Sequence, residues 1–245
     1  MSTLRIDVTL VERGFFESRA KAQEAIAAGL VSVDGKPVKK PSEQVGEESV
    51  ILASAPHPWV SRAGLKLVAG LDAFKIDPTN RVCLDIGAST GGFTQVLLAR
   101  GAKLIYAVDV GHDQIHPTLL DDDRVDSREG TDARDLTAAD FEILPDLLVC
   151  DASFISLKKV LAPALDFVAP GAELLVLVKP QFEAGRAAVK KGIVRDADVH
   201  QRVCEDIKDF MASLHWQVRG LVPSPIEGGD GNREFLLAAV KGEKV

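Results

Sequence analysis

Residues 81–94, Arg-Val-Cys-Leu-Asp-Ile-Gly-Ala-Ser-Thr-Gly-Gly-Phe-Thr, carry an apolar strand through Asp85 into a glycine-rich turn. The glycines at 87, 91 and 92 are spaced G-x-x-x-G-G, whereas a dinucleotide site asks for G-x-G-x-x-G at the same strand-to-helix junction. Glycines without Cβ let a ligand approach the backbone, and carboxylates at strand ends can take an ammonium and ribose hydroxyls. That chemistry suits S-adenosylmethionine. Its candidate cradle is Gly87, Ala88, Ser89, Thr90, Gly91, Gly92 and Phe93, with Asp85 and Asp109 as the carboxylates. A tight turn in any α/β protein would use the same glycines. Asp132, in Gly130-Thr131-Asp132-Ala133-Arg134, is either a neighbour of the adenine or the cap of a loop.

Two more charged residues stand where solvated surface would not require them. Lys179 follows the apolar run Leu174-Leu-Val-Leu-Val178, and Asp151 follows Leu147-Leu-Val-Cys150. An ammonium and a carboxylate at adjacent strand ends offset each other's desolvation and leave a polarised pair facing a crevice; a structural ion pair is the plainer alternative.

The elements that must position these residues are short apolar strands alternating with helices from Ser61 onwards. Strands are predicted at 82–86, 104–109, 147–151, 174–178, 218–222 and 235–240. This is a doubly wound α/β domain, and its last two strands are close enough to pair antiparallel across the loop from Pro223 to Asn232, which suits a Rossmann-like methyltransferase sheet. Ligands in such sheets sit at the carboxyl ends of the strands. Asp85, Asp109, Asp151 and Lys179 all fall there.

Residues 1–53 read as a separate small α+β module, 54–60 as a proline-containing linker, and 61–245 as the larger domain. The module has a periodic helix over 6–13, a second over 18–28 capped by Ser18, and two short strands around Asp34-Gly35. Trp59 is expected to anchor the linker against the larger domain.

The 245 residues carry a formal charge of −7, which excludes a chain coated in basic residues but not a local basic patch. Cys83, Cys150 and Cys204 are too far apart for a zinc or disulfide framework, and no metal site is expected. The N-terminus lacks an apolar signal core, and the most apolar stretch, 160–178, is interrupted by Pro163, Asp166, Pro170, Gly171 and Glu173. Cytoplasmic residence without membrane insertion is the expectation.

Arg5-Ile6-Asp7, Ser18-Arg19-Ala20-Lys21-Ala22 and Gly29-Leu-Val-Ser-Val-Asp-Gly-Lys36 are similar to the R-L-D, S-R-x-x-A and G-x-V-x-V-N-G order of S4 RNA-binding domains. The resemblance implies that Arg5, Arg19, Lys21 and Lys36 face RNA. The module is nonetheless near neutral, with seven basic and eight acidic residues, and a merely solvated helix face is the alternative. Ser61-Arg-Ala-Gly-Leu-Lys66-Leu, Asp151-Ala-Ser-Phe-Ile-Ser-Leu157, Val178-Lys-Pro-Gln-Phe-Glu183 and Asn232-Arg-Glu234-Phe extend the resemblance to nearly the whole chain. It resembles the TlyA family, which joins an S4 domain to an FtsJ-like 2′-O-methyltransferase domain. One departure is His57, where some members carry Arg.

The resemblance implies a catalytic tetrad of Lys66, Asp151, Lys179 and Glu234, S-adenosylmethionine as methyl donor, and a cytidine ribose of ribosomal RNA, free or within a ribosomal subunit, as acceptor. The basic stretch Arg186, Lys190, Lys191 and Arg195 is expected to contact RNA or to be a solvated loop. A membrane-active haemolysin, a label historically attached to this family, would need an apolar or amphipathic insertion segment, and none is evident. A non-catalytic RNA-binding protein that kept the fold is opposed by the intact tetrad.

Overall fold

The computed structural model describes residues 3–228 and 231–242, the side chain of Arg186 excepted. The chain divides into two units between Pro58 and Trp59. In the first, β1 (Thr3–Arg5) leads directly into α1 (Ile6–Glu12), followed by α2 (Arg19–Ala27), β2 (Val31–Val33), β3 (Lys36–Pro37), β4 (Gln44–Gly46) and β5 (Ile51–Ala53). Ser18 caps α2 by accepting from the Lys21 N–H, and Asp34 and Gly35 turn the chain with φ of 49° and 76°, as the Asp-Gly pair between two short strands requires. Ile6, Leu10, Ala22, Ala25 and Ile26 close a small core between the helices and Val31, Val45 and Ile51.

Asp7 is the one fully buried carboxylate of this unit. Arg5 donates to both of its oxygens at 2.9 and 3.1 Å, Arg19 reaches it at 2.8 Å and Gln23 at 2.8 Å. The Arg5 hydrogen bonds hold the carboxyl well below the usual range against the opposing effect of burial, with Arg19 and Gln23 adding to it. Two of the four basic residues expected to face RNA thus also brace the start of the unit around Asp7, with their side chains half-exposed. Lys21 pairs with Glu17 at 3.0 Å, and Lys36 is exposed on β3.

In the second unit, α3 (Ala63–Phe74) precedes β6 (Val82–Ile86), α4 (Gly92–Ala99), β7 (Leu104–Val108), α5 (Pro117–Leu120) and β8 (Val125–Arg128). Then come β9 (Leu147–Cys150), α6 (Leu157–Phe167), β10 (Glu173–Val178), α7 (Pro180–Glu183), α8 (Ala197–Ser213), β11 (Trp216–Pro223) and β12 (Phe235–Lys241). The sheet order is β11-β12-β10-β9-β6-β7-β8, parallel except that β12 runs antiparallel to both of its neighbours. Periodicity misses β8: Val-Asp-Ser-Arg is too short and polar to signal a strand, and β7 recruits it at the edge.

Alternate residues of the central strands feed two cores. Leu84, Leu148, Val176 and Leu237 face one layer of helices, and Cys83, Val149, Leu175 and Ala238 face the other. Trp59 packs with the second core, so closely that a Cβ on Gly64 would lie 2.6 Å from its ring. The strand order reverses between β6 and β9, which opens the crevice where such sheets bind ligands.

Because Asp7 titrates well below an unfolded aspartate, its stabilisation is present above the ordinary value of 3.8 and is lost as pH falls through the lower folded value. Asp7→Asn should cost the N-terminal unit about 2 kcal/mol at neutral pH. Amide hydrogen exchange of α1 and α2 in the full chain measures it, and unchanged protection would contradict the bracing role.

Candidate active site

Parallel strands bring their carboxyl ends to one edge of the sheet, and antiparallel β12 begins at that same edge. Val178 pairs with Phe235, so the residues just beyond, Lys179 and Glu234, are brought to the same end of two neighbouring strands. Cys150 likewise pairs with Ile86 and Val176, which delivers Asp151 beside Gly87 and near Lys179.

Lys179 Nζ lies 2.6 Å from Asp151 Oδ1 and donates to the Asp151 carbonyl at 2.9 Å and to Ser153 Oγ at 2.8 Å. Lys66, on the sheet-facing side of α3, donates to Glu234 Oε2 at 2.6 Å, and Gln181 Nε2 donates to Glu234 Oε1 at 3.2 Å. Lys66, Lys179 and Glu234 are 8, 6 and 4% exposed, so both ion pairs are largely removed from water. All four charged residues line one cavity of about 500 Å³, with Ser153, Phe154 and Gln181.

A second cavity of about 580 Å³ opens beside it, between the ends of β6, β7 and β9, and shares Gly87, Ser89, Asp151, Ser153 and Phe154 with the first. Of the candidate cofactor residues, Gly87, Ala88, Ser89, Thr90 and Phe93 line the first cavity, and Gly87, Ser89, Asp109 and Asp132 line the second. Asp109 accepts from the Ser89 N–H at 2.8 Å and the Gly111 N–H at 2.7 Å, tying the glycine-rich turn to the end of β7. Asp132 does cap a loop, accepting from the Arg134 N–H and pairing with its guanidinium, which holds its carboxyl down at about 2. It also lines the second cavity.

Asp85, Gly91 and Gly92 line neither cavity. Gly87 has φ +81°, and a Cβ there would stand 2.8 Å from Ala152 Cα; this is the close approach that lets the turn and the Asp151 loop meet. Gly91, at φ +90°, instead makes room for Leu119, and Gly92 for Ser61 and Ala63. Asp85 is fully buried within β6: Thr94 Oγ1 donates to its Oδ2 at 2.7 Å, and its Oδ1 has no partner among the described residues. Burial pushes its carboxyl up to about 7, the Thr94 hydroxyl opposing and the charges of Asp151 and Asp109 adding to the rise.

Sequence reasoning about the site passes over Ser153, Gln181 and Thr94, which contact the charged residues, and the exposure of Phe154. Ser153 and Gln181 lie inside motif segments, two residues beyond Asp151 and Lys179, and that proximity was the available signal. Phe154 is 91% exposed and adopts φ +65°, a strained conformation for an aromatic residue, and it borders both cavities.

The FtsJ-like methyltransferase family profile matches residues 59–241, and the S4 domain profile matches residues 4–51. A curated relative from Mycobacterium tuberculosis, named 16S/23S rRNA (cytidine-2′-O)-methyltransferase TlyA, is 42% identical over 95% of this chain and 88% of its own. The chain belongs to the TlyA family of FtsJ-like methyltransferases. A TlyA of Campylobacter jejuni, named 23S rRNA (cytidine-2′-O)-methyltransferase, is 34% identical over 91% of this chain and 94% of its own. A solved structure from Streptococcus thermophilus, described as a candidate hemolysin, is 41% identical and covers all of this chain and 90% of that one with a TM-score of 0.79. The tetrad and both cavities of this TlyA-family chain lie within the span of the methyltransferase match.

The folded state keeps the Asp85 proton to higher pH than the unfolded chain does. The stability associated with that proton is therefore complete below the ordinary value of 3.8 and is lost as pH rises through about 7. Asp85→Asn should remove this dependence, the wild type losing roughly 1 kcal/mol per pH unit relative to the variant inside that window. Urea denaturation of both proteins across the window tests it, and parallel curves would refute it.

Proposed function

We propose that this chain transfers the methyl group of S-adenosylmethionine to the 2′-oxygen of a cytidine ribose in ribosomal RNA, in the cytoplasm, with the S4 unit as an RNA grip. The observation that carries the reading is the pairing of Lys179 with Asp151 and of Lys66 with Glu234 around one cavity that adjoins a second. The names of the curated TlyA relatives supply the nucleoside and the class of RNA. They differ in the subunit named.

The second cavity fits the methyl donor: it opens at the carboxyl ends of the parallel strands beside the glycine-rich turn and is lined by the carboxylates of Asp109 and Asp132. Those residues with Ser89 would hold it, and the donor supplies an already activated methyl sulfonium. What remains for the protein is to orient and deprotonate a hydroxyl whose pKa lies far above neutral. Lys179 contacts the 2′-oxygen and favours the developing alkoxide by its charge; Asp151 and Ser153 fix its amine. Lys66 and Glu234 complete the charged wall, and the hydroxyl proton is taken up within the tetrad. Burial of Lys66, Lys179 and Glu234 strengthens each of these interactions.

Other acceptors suit the site less well. Methylation of an exocyclic amine usually employs an Asn/Asp-Pro-Pro-Tyr segment where this chain has Asp151-Ala-Ser-Phe154. Methylation at cytosine C5 needs a thiolate, and burial pushes the Cys150 thiol up to about 12. Among the described residues no helix is long and apolar enough to cross a membrane. Leakage of liposomes by the purified protein in the absence of S-adenosylmethionine would favour the haemolysin reading instead.

Phe154 presents an aromatic face at the rim of the acceptor cavity. A nucleotide whose ribose reaches Lys179 has to leave its stack, and that ring replaces the lost stacking partner.

Lys179→Ala should abolish methyl transfer to ribosomal subunits from cells lacking the protein, with S-adenosylmethionine affinity by calorimetry within about twofold of wild type. Full activity in the variant would overturn the assignment, and mapping of methylated riboses with and without the protein identifies the nucleotide. Phe154→Ala should raise the KM for the RNA acceptor about tenfold, with Phe154→Tyr close to wild type. Equal KM values for Ala and wild type would remove the stacking role.

A further inference from the structure

Alongside the acceptor cavity lies a third and larger depression of about 870 Å³ that the mechanism above does not use. Phe154, Gln181 and Phe182 line both spaces. The two rings lie 5.1 Å apart, tilted by 49°, and the amide of Gln181 is the group that also donates to Glu234. The remainder of the depression includes Arg134, Lys159 and Val189. Lys159 is exposed at the start of α6 and makes no ion pair among the described residues, whereas Arg134 is already paired with Asp132. The space is therefore walled by aromatic and aliphatic surface with an uncompensated cation.

We propose that this depression binds the nucleotide adjacent to the one being methylated, its base against Phe182 and Val189 and its phosphate at Lys159. The inference rests on the methyl-transfer reading of the tetrad. An RNA strand whose ribose is held at Lys179 continues out of the acceptor cavity across the surface that borders it. The space beyond Gly87 and Ser89 is the one assigned to the methyl donor. The depression beyond Phe182 also borders the acceptor cavity, and it offers what an unstacked neighbour lacks: a ring to stack on and a positive charge for its phosphate. The protein thereby holds two consecutive nucleotides on opposite sides of the Phe154–Phe182 pair. The separation of target from neighbour becomes part of substrate binding.

The test uses Val189→Trp, which fills the depression, and Lys159→Glu, which reverses its charge from an exposed position remote from the core. With unmodified ribosomal subunits as acceptor, each variant should raise the acceptor KM about tenfold while kcat and S-adenosylmethionine affinity stay within about twofold; Lys159→Glu should also weaken the salt dependence of binding. A photoreactive benzophenone amino acid at position 189 should crosslink to an immediate neighbour of the methylated ribose. An unchanged acceptor KM for Lys159→Glu and Val189→Trp, or a crosslink to a nucleotide away from the methylated one, overturns the inference. In that event loss of activity in Lys179→Ala still sustains the reading of the tetrad. A fully active Lys179→Ala enzyme would remove both.

Discussion

Four charges held out of water at one edge of a sheet are the constraint around which the larger unit is organised. An isolated buried lysine or carboxylate costs several kcal/mol, and the cost is offset only when partners are placed with good geometry. Here the sheet does the placing. Parallel β9 and β10 end in Asp151 and Lys179, and antiparallel β12 starts at the same edge with Glu234, so two backbone registers determine where three of the four charges emerge. Lys66 arrives from a helix whose apolar side packs on the sheet, Gly70 being tight against Leu175. The polar neighbours Ser153 and Gln181 finish the hydrogen bonding that a buried ammonium and a buried carboxylate demand.

The same edge supplies the second cavity. The reversal of strand order between β6 and β9 separates the helices that follow them, and Gly87 lets the two loops meet without a Cβ between them. The two cavities consequently share a wall rather than lying at separate sites. Methyl transfer needs that adjacency, because the transferred carbon must be in line with the attacking oxygen. Asp85 contributes from beneath this chemistry: buried and bonded to Thr94, it joins β6 to α4, and its raised pKa makes the carboxyl sensitive to pH near neutrality.

The N-terminal unit shows a comparable economy on a smaller scale. With only a modest core, it relies on Asp7 to draw Arg5, Arg19 and Gln23 together, linking β1, α1 and α2. The arginines keep about half of their side-chain surface exposed, so bracing the unit leaves them accessible. A unit close to electrically neutral can still grip RNA when its few cations are held in fixed positions, because phosphate contacts are local.

The alternation of apolar strands with helices, the Ser18 cap, the Asp34-Gly35 turn and the charged residues that follow apolar runs were legible along the chain, since each is a pattern of neighbouring residues. Asp109, Asp151 and Lys179 could be assigned to strand ends on that basis alone, and the S4 and FtsJ-like segments came with them. Polar β8 was not legible, because pairing with β7 rather than its own composition makes it a strand. Nor was the division of labour in the glycine-rich turn, where Gly87 serves the approach of two loops while Gly91 and Gly92 accommodate Leu119, Ser61 and Ala63. The Lys66–Glu234 contact spans 168 positions, and the 91% exposure of the Phe154 ring has no signature in its neighbouring residues. Local periodicity and charge determine which elements form and which residues end them; strand register and the close approach of backbones decide which of those residues meet.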